Sequence, residues 1–134
     1  MRKNTVLVVD DNSDIRRAVT TAFEDQPDFR VCGEAVNGKD AIEKAKQLRP
    51  DLIILDFAMP EMDGISAASI LSGLIPSTKL ILFTMHSNGI VRAAAQEAGI
   101  SAIVQKEHGQ DELVIQAQKA LGNPPLSANR GRGI

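Results

Sequence analysis

Leu52-Ile53-Ile54-Leu55-Asp56-Phe57-Ala58-Met59-Pro60-Glu61-Met62-Asp63-Gly64 runs from four apolar residues through an acid into a turn. A run this short and this apolar reads as a strand buried on both faces, so Asp56 stands at its C-terminal end, on the lip of a core. That edge of an α/β sheet is where ligands bind. Which other charged groups reach the same lip decides what Asp56 is for.

Working outward, apolar strand-like runs recur at Thr5 to Val9, Phe29 to Val36, Lys79 to Phe83 and Ala102 to Val104. Between them Ile15, Val19, Ala22 and Phe23 fall at helical spacing, as do Ala41, Ile42, Ala45 and Leu48, then Val91, Ala94, Ala95 and Ala98, then Leu113, Ala117 and Leu121. Ile65 to Leu74 completes a fifth helix, with Gly73 and Pro76 near its end. Asn37 is positioned to cap the second helix, Asp63 the third, and Ser87 or Asn88 the fourth; Gly99 and Gly122 end the fourth and fifth. Five strands alternating with five helices predict a parallel sheet with right-handed crossovers and helices on both faces, a three-layer α/β sandwich.

The 134 residues suffice for one domain with a core of its own. Cys32 is the single cysteine and reads as a small buried hydrophobe, since it has no internal disulfide partner. No signal peptide or apolar run of transmembrane length is visible, so a cytoplasmic location is expected and a membrane is not. Fifteen basic residues against 17 acidic give no field for nucleic acid, and four Phe without Trp or Tyr give no stacking platform. Direct nucleic-acid binding by this segment is not expected.

Parallel strands deliver whatever follows them to one edge. The first ends in Asp10-Asp11, the third in Asp56, the fourth in Thr84, and the fifth runs into Lys106. Carboxylates gathered about 4 Å apart repel by roughly 4 kcal/mol per pair at an effective dielectric near 20, so they call for a cation. Oxygen-only donors suit Mg²⁺, and no Cys/His cluster offers zinc instead.

The motifs Val8-Val9-Asp10-Asp11-Asn12, Asp56 to Gly64, Phe83-Thr84, Gly99-Ile100-Ser101-Ala102 and Lys106 together resemble the receiver domain of two-component response regulators, over residues 4 to about 121. The resemblance implies a doubly wound (βα)5 flavodoxin-like sheet of order 2-1-3-4-5. It implies Asp56 as phosphoacceptor, taking the phosphoryl group of a histidine kinase or phosphotransfer protein as an acyl phosphate. Mg²⁺ (or Mn²⁺) would be held by Asp11, Asp56 and the Ala58 carbonyl, with Asp10 acting through water. Lys106 would pair with Asp56 and then with the phosphoryl group. The Thr84 hydroxyl would bond another phosphoryl oxygen and draw in the loop after the fourth strand. The face of the fourth helix, fifth strand and fifth helix is then the partner or dimer surface. The competing class is a pseudo-receiver, an interaction module that is not phosphorylated. A hydrolase of this fold is not expected, because the position two beyond Asp56 is Ala58 rather than an acid or base.

Against the family pattern, Ile103 stands where many receivers carry an aromatic that reports the threonine's movement, and Glu107 follows Lys106 where proline is frequent. Lys106-Glu107 and Thr84-Met85-His86 look closest to receivers that precede helix-turn-helix output domains. Ala58 and His86 would flank the phosphoryl group, with His86 tuning access of water. Met59 and Met62 read as turn and core filling, Gly64 as admitting a tight helix start, and His108 as a solvated residue starting the last helix. Residues 1–122 form the receiver, and 123–134, rich in Pro, Gly and Arg, form a flexible tail or the start of a linker. Both a stand-alone receiver and the receiver of a longer DNA-binding regulator fit.

Overall fold

In the computed structural model, which describes residues 2–85 and 87–122, the apolar runs form strands β1 (Asn4–Val9), β2 (Phe29–Ala35), β3 (Leu52–Leu55), β4 (Lys79–Thr84) and β5 (Ala102–Gln105). They pair in parallel in the order β2-β1-β3-β4-β5. Helices α1 (Ser13–Glu24), α2 (Gly38–Leu48), α3 (Gly64–Leu74) and α4 (Gly89–Glu97) fill the connections, and α5 (Gly109–Ala120) follows β5. The expected α/β fold and strand order are those observed. Among the described residues, no helix is long and apolar enough to cross a membrane.

Period-two alternation divides the sheet between two helical layers. Leu7, Val9, Ile53, Leu55, Leu80 and Leu82 pack with Ala41, Ala45, Ala67, Leu71, Val91 and Ala95 of α2, α3 and α4. Val6, Val8, Leu52, Ile54, Ile81 and Phe83 face the other way, onto Val19 and Phe23 of α1 and Leu113 and Ala117 of α5. β3 has helices over both faces and no residue more than 2% exposed, which is why its sequence shows no alternation.

The helices start where short polar side chains take up orphan backbone donors. Asn12, Asn37, Asp63 and Asn88 accept from the N–H of Ile15, Asp40, Ser66 and Val91 at 2.8–3.0 Å. Each such cap contributes about 1 kcal/mol. Asn88, not Ser87, therefore caps α4.

Three expectations need correction. Cys32 is half-buried rather than core: the β1/β2 register jumps from Val6↔Val31 to Leu7↔Gly33, so Cys32 is the extra residue of a bulge, its Sγ 3.4 Å from the Val6 carbonyl. Leu48 is exposed at the end of α2, although one methyl lies over Gly33. His108 closes a 3-10 turn, Lys106–His108, and α5 begins after it at Gly109.

Candidate functional site

The strand order reverses at β1, with β2 to one side and β3 to the other, which opens a crevice beyond the C-terminal ends of β1 and β3. Val9 pairs with Leu55, so the residues that follow, Asp10 and Asp56, emerge side by side. Thr84 pairs with Gln105, which delivers Lys106 to the same edge. Carboxylate oxygens of Asp10, Asp11 and Asp56 all lie within 4.8 Å of one another. They line a cleft of about 290 Å³ with Asn12, Ile15, Ala58, Met85 and Lys106.

Asp10 is the anchored member of the cluster. It is 3% exposed, and each of its carboxylate oxygens carries a donor: Asn12 N–H on Oδ1 at 2.9 Å and Lys106 Nζ on Oδ2 at 2.8 Å. Its N–H donates to the Ala35 carbonyl at 3.1 Å. Lys106 Nζ also lies 3.3 Å from Asp56 Oδ2, so the ammonium bridges two acids and stands nearer to Asp10 than to Asp56. Asp11 is exposed, at the mouth of the cleft.

Asp56 is 6% exposed, and burial pushes its carboxyl above the ordinary carboxylate range. The charge of Asp10 pushes it further, while Lys106 and a hydrogen bond from the fully buried Thr84 hydroxyl pull it back. Acids no more than 4.8 Å apart repel by at least about 3 kcal/mol per pair at an effective dielectric near 20. The site thus holds more negative charge than its own cation offsets, and its donors are all oxygen. That combination fits a hard divalent ion.

The turn after Asp56 is tight enough to constrain the site. Met62 N–H donates to the Pro60 carbonyl at 2.8 Å, a γ-turn that holds Glu61 at φ 70°. Gly64 N–H returns to the Phe57 carbonyl at 2.9 Å. A Cβ on Gly64 would stand 2.1 Å from the Asp56 carbonyl oxygen, so close approach to Asp56, beyond an easy helix start, requires glycine there. Met59 and Met62 pack against the core, Met62 over Gly38 at the start of α2.

The structure brings together Asp10, Asp11, Asp56, Ala58, Thr84 and Lys106. Ile103 is half-buried against the α2–α4 side of the core, and His86 lies outside the described residues, as does the 123–134 segment. Sequence reasoning did not pick out Arg16, whose Nη1 donates to the Asp10 carbonyl at 2.8 Å. Its only signal was helical spacing, four residues after Asn12.

The family described as the response regulator receiver domain matches residues 6–118. The protein-glutamate methylesterase/protein-glutamine glutaminase of Alkalilimnicola ehrlichii is 35% identical over 98% of this chain and 34% of that protein. The response regulator protein VraR of Staphylococcus saprophyticus is 33% identical over 88% of this chain and 56% of that protein. The chain therefore spans between a third and somewhat over half of these relatives. Among solved structures, the signal receiver domain of the response regulator NarL from Mycobacterium tuberculosis superposes with a TM-score of 0.86 at 28% identity, covering 91% of this chain and 98% of that one.

Proposed function

Because the chain belongs to the response regulator receiver domain family, and is thus a receiver of two-component signalling, we propose that Asp56 is its phosphoacceptor and that transfer depends on Mg²⁺ or Mn²⁺. The observation that carries this reading is the cluster of Asp10, Asp11 and Asp56 bridged by Lys106. An Asp56 oxygen attacks the phosphorus of a kinase or phosphotransfer protein's phosphohistidine. The P–N bond breaks, its electron pair leaves on the imidazole, which takes up a proton, and an acyl phosphate forms.

Asp11, Asp56 and the Ala58 carbonyl would hold the metal directly. Asp10 would act through water, since both its oxygens already carry donors. The bound ion supplies neutralisation of charge on the transferring oxygens. Lys106 then moves from Asp56 to a phosphoryl oxygen, and the Thr84 hydroxyl exchanges its bond to the carboxylate for one to the phosphoryl group. That exchange draws in the loop between β4 and α4, with half-buried Ile103 repacking in place of an aromatic. The face of α4, β5 and α5, where Ile90 is 83% exposed, is the surface so altered for partner binding or dimerisation. In this reading residues 1–122 are the receiver and work in the cytoplasm beside a sensor kinase.

Incubation with acetyl phosphate and Mg²⁺, followed by intact mass measurement, tests it. The wild type gains one phosphoryl group; Asp56→Asn and the wild type with chelator gain none. An unchanged wild-type mass under these conditions overturns the assignment.

A further inference from the structure

Asp11 is the one exposed acid of the three in the cluster, yet it must point into the cleft to share it with Asp10 and Asp56. Its direction is set by the peptide before it, because the Asp10 carbonyl and the Asp11 N–H belong to one planar unit. Arg16 grips that unit from behind: its Nη1 donates to the Asp10 carbonyl at 2.8 Å. The guanidinium is itself fixed, since Nε donates to Glu34 Oε1 at 3.0 Å and the side chain is only 17% exposed. Glu34 is anchored in turn by α2, where Lys44 donates to its backbone carbonyl and pairs with Asp40 at 3.3 Å.

Resting on the receiver reading above, we propose that Arg16 is a positioning residue for the metal site, clamping the Asp10–Asp11 peptide so that Asp11 faces its partner acids. The fork geometry matters. Nε and Nη1 reach two different acceptors at once, one on β2 and one at the end of β1, which a single ammonium does not do. With the peptide held, Asp11 is preorganised for the ion; without the clamp the peptide rocks and the carboxylate spends part of its time in solvent.

The test is calorimetric titration with Mg²⁺ alone, without phosphodonor, on wild type, Arg16→Ala, Arg16→Lys and Glu34→Gln. Arg16→Ala is expected to weaken Mg²⁺ about ten-fold, the lower end of what losing an outer partner of a metal ligand costs. Arg16→Lys recovers part of the loss, and Glu34→Gln, which keeps a neutral acceptor, costs least. In the metal-free proteins, amide exchange at Asp11 and Asn12 quickens in Arg16→Ala, a local change that an ion pair merely tying α1 to β2 does not produce. Mg²⁺ affinity in Arg16→Ala within two-fold of wild type overturns the clamp and leaves the phosphoacceptor reading standing. Should Arg16→Ala not fold, Arg16→Lys carries the same decision, since wild-type affinity in that variant rules out a need for the fork. A wild type that binds no Mg²⁺ takes down the Mg²⁺-dependent phosphoacceptor reading and the clamp together, while the family assignment stands.

Discussion

Two aspartates bracket β3, and their surroundings are opposite. Asp51, just before the strand, accepts from Thr5 N–H at 2.8 Å, from Thr5 Oγ1 at 3.3 Å, and from Arg2 at 2.9 and 3.1 Å. Its backbone N–H goes to Thr5 and its carbonyl takes Lys79 N–H, so it knits the starts of β1, β3 and β4. Burial alone would raise its carboxyl, but the Thr5 and Arg2 donors together hold it below its ordinary value. Asp56, just after the strand, is raised by burial and by Asp10. One end of the strand is electrostatically complete; the other is left short of positive charge. The fold tolerates that deficit at Asp56 because the packed strand and the completed end hold the backbone in place.

The largest expected effect comes from destroying the complete end. Asp51→Ala leaves the Thr5 N–H without its carboxylate and frees Arg2, which should cost about 1.5–3 kcal/mol, the range for hydrogen bonds to a charged acceptor. A urea midpoint that falls at unchanged slope would confirm it. A cost below about 0.5 kcal/mol, the scatter of ordinary surface substitutions, would make the two ends equivalent and break the comparison.

Asp56→Asn should do the reverse and stabilise the metal-free protein by about 1 kcal/mol, the scale on which relieving a strained functional group commonly raises stability. The two positions are five residues apart along an extended strand, about 16 Å, so the double variant should be additive to within about 0.5 kcal/mol. The pH dependence separates the two acids. Asp51 titrates below 3.8 when folded, so its contribution is full above that value and is lost as pH falls through its folded pKa. Asp56 titrates above 3.8 when folded, so its penalty is absent below 3.8 and grows as pH rises through its folded pKa. Comparing each variant's midpoint with wild type from acid to neutral pH should show one difference closing below 3.8 and the other opening above it.

What was legible in the sequence follows the same division. The fold and the acid cluster were readable because parallel strands turn a list of strand ends into a site, and Asp10, Asp56, Thr84 and Lys106 needed only that rule. Asp51 was not singled out, since an acid after Pro50 reads as a solvated turn residue; its role exists only through Thr5 and Arg2, nearly fifty positions away. The bulge at Cys32 is a property of pairing between β1 and β2, which neither strand states alone. Lys106 was expected on Asp56, yet its shorter contact is to Asp10, a choice set by side-chain reach across the sheet. Arg16 was invisible because an arginine in the first turn of a helix normally faces water.

The smallest expected effect probes the backbone on either side of β3. Arg49 holds φ 44° at the end of α2, before the strand, and Glu61 holds φ 70° in the turn after it. A left-handed conformation costs an L-residue about 1–2 kcal/mol, and glycine returns that at an entropic cost of about 0.5–1 kcal/mol. Arg49→Gly and Glu61→Gly should therefore each raise stability by about 0.5 kcal/mol. They should part company in phosphorylation by acetyl phosphate. Arg49 supports the complete end, so its rate stays at wild type. Glu61 spans the turn that carries Ala58 toward the cleft, and loosening it should slow the reaction about two-fold, equivalent to ~0.4 kcal/mol in the barrier. Equal rates for the two variants would mean that the left-handed residue in the turn serves chain geometry alone, as Arg49 does, and that the asymmetry between the ends of β3 lies in charge and not in backbone.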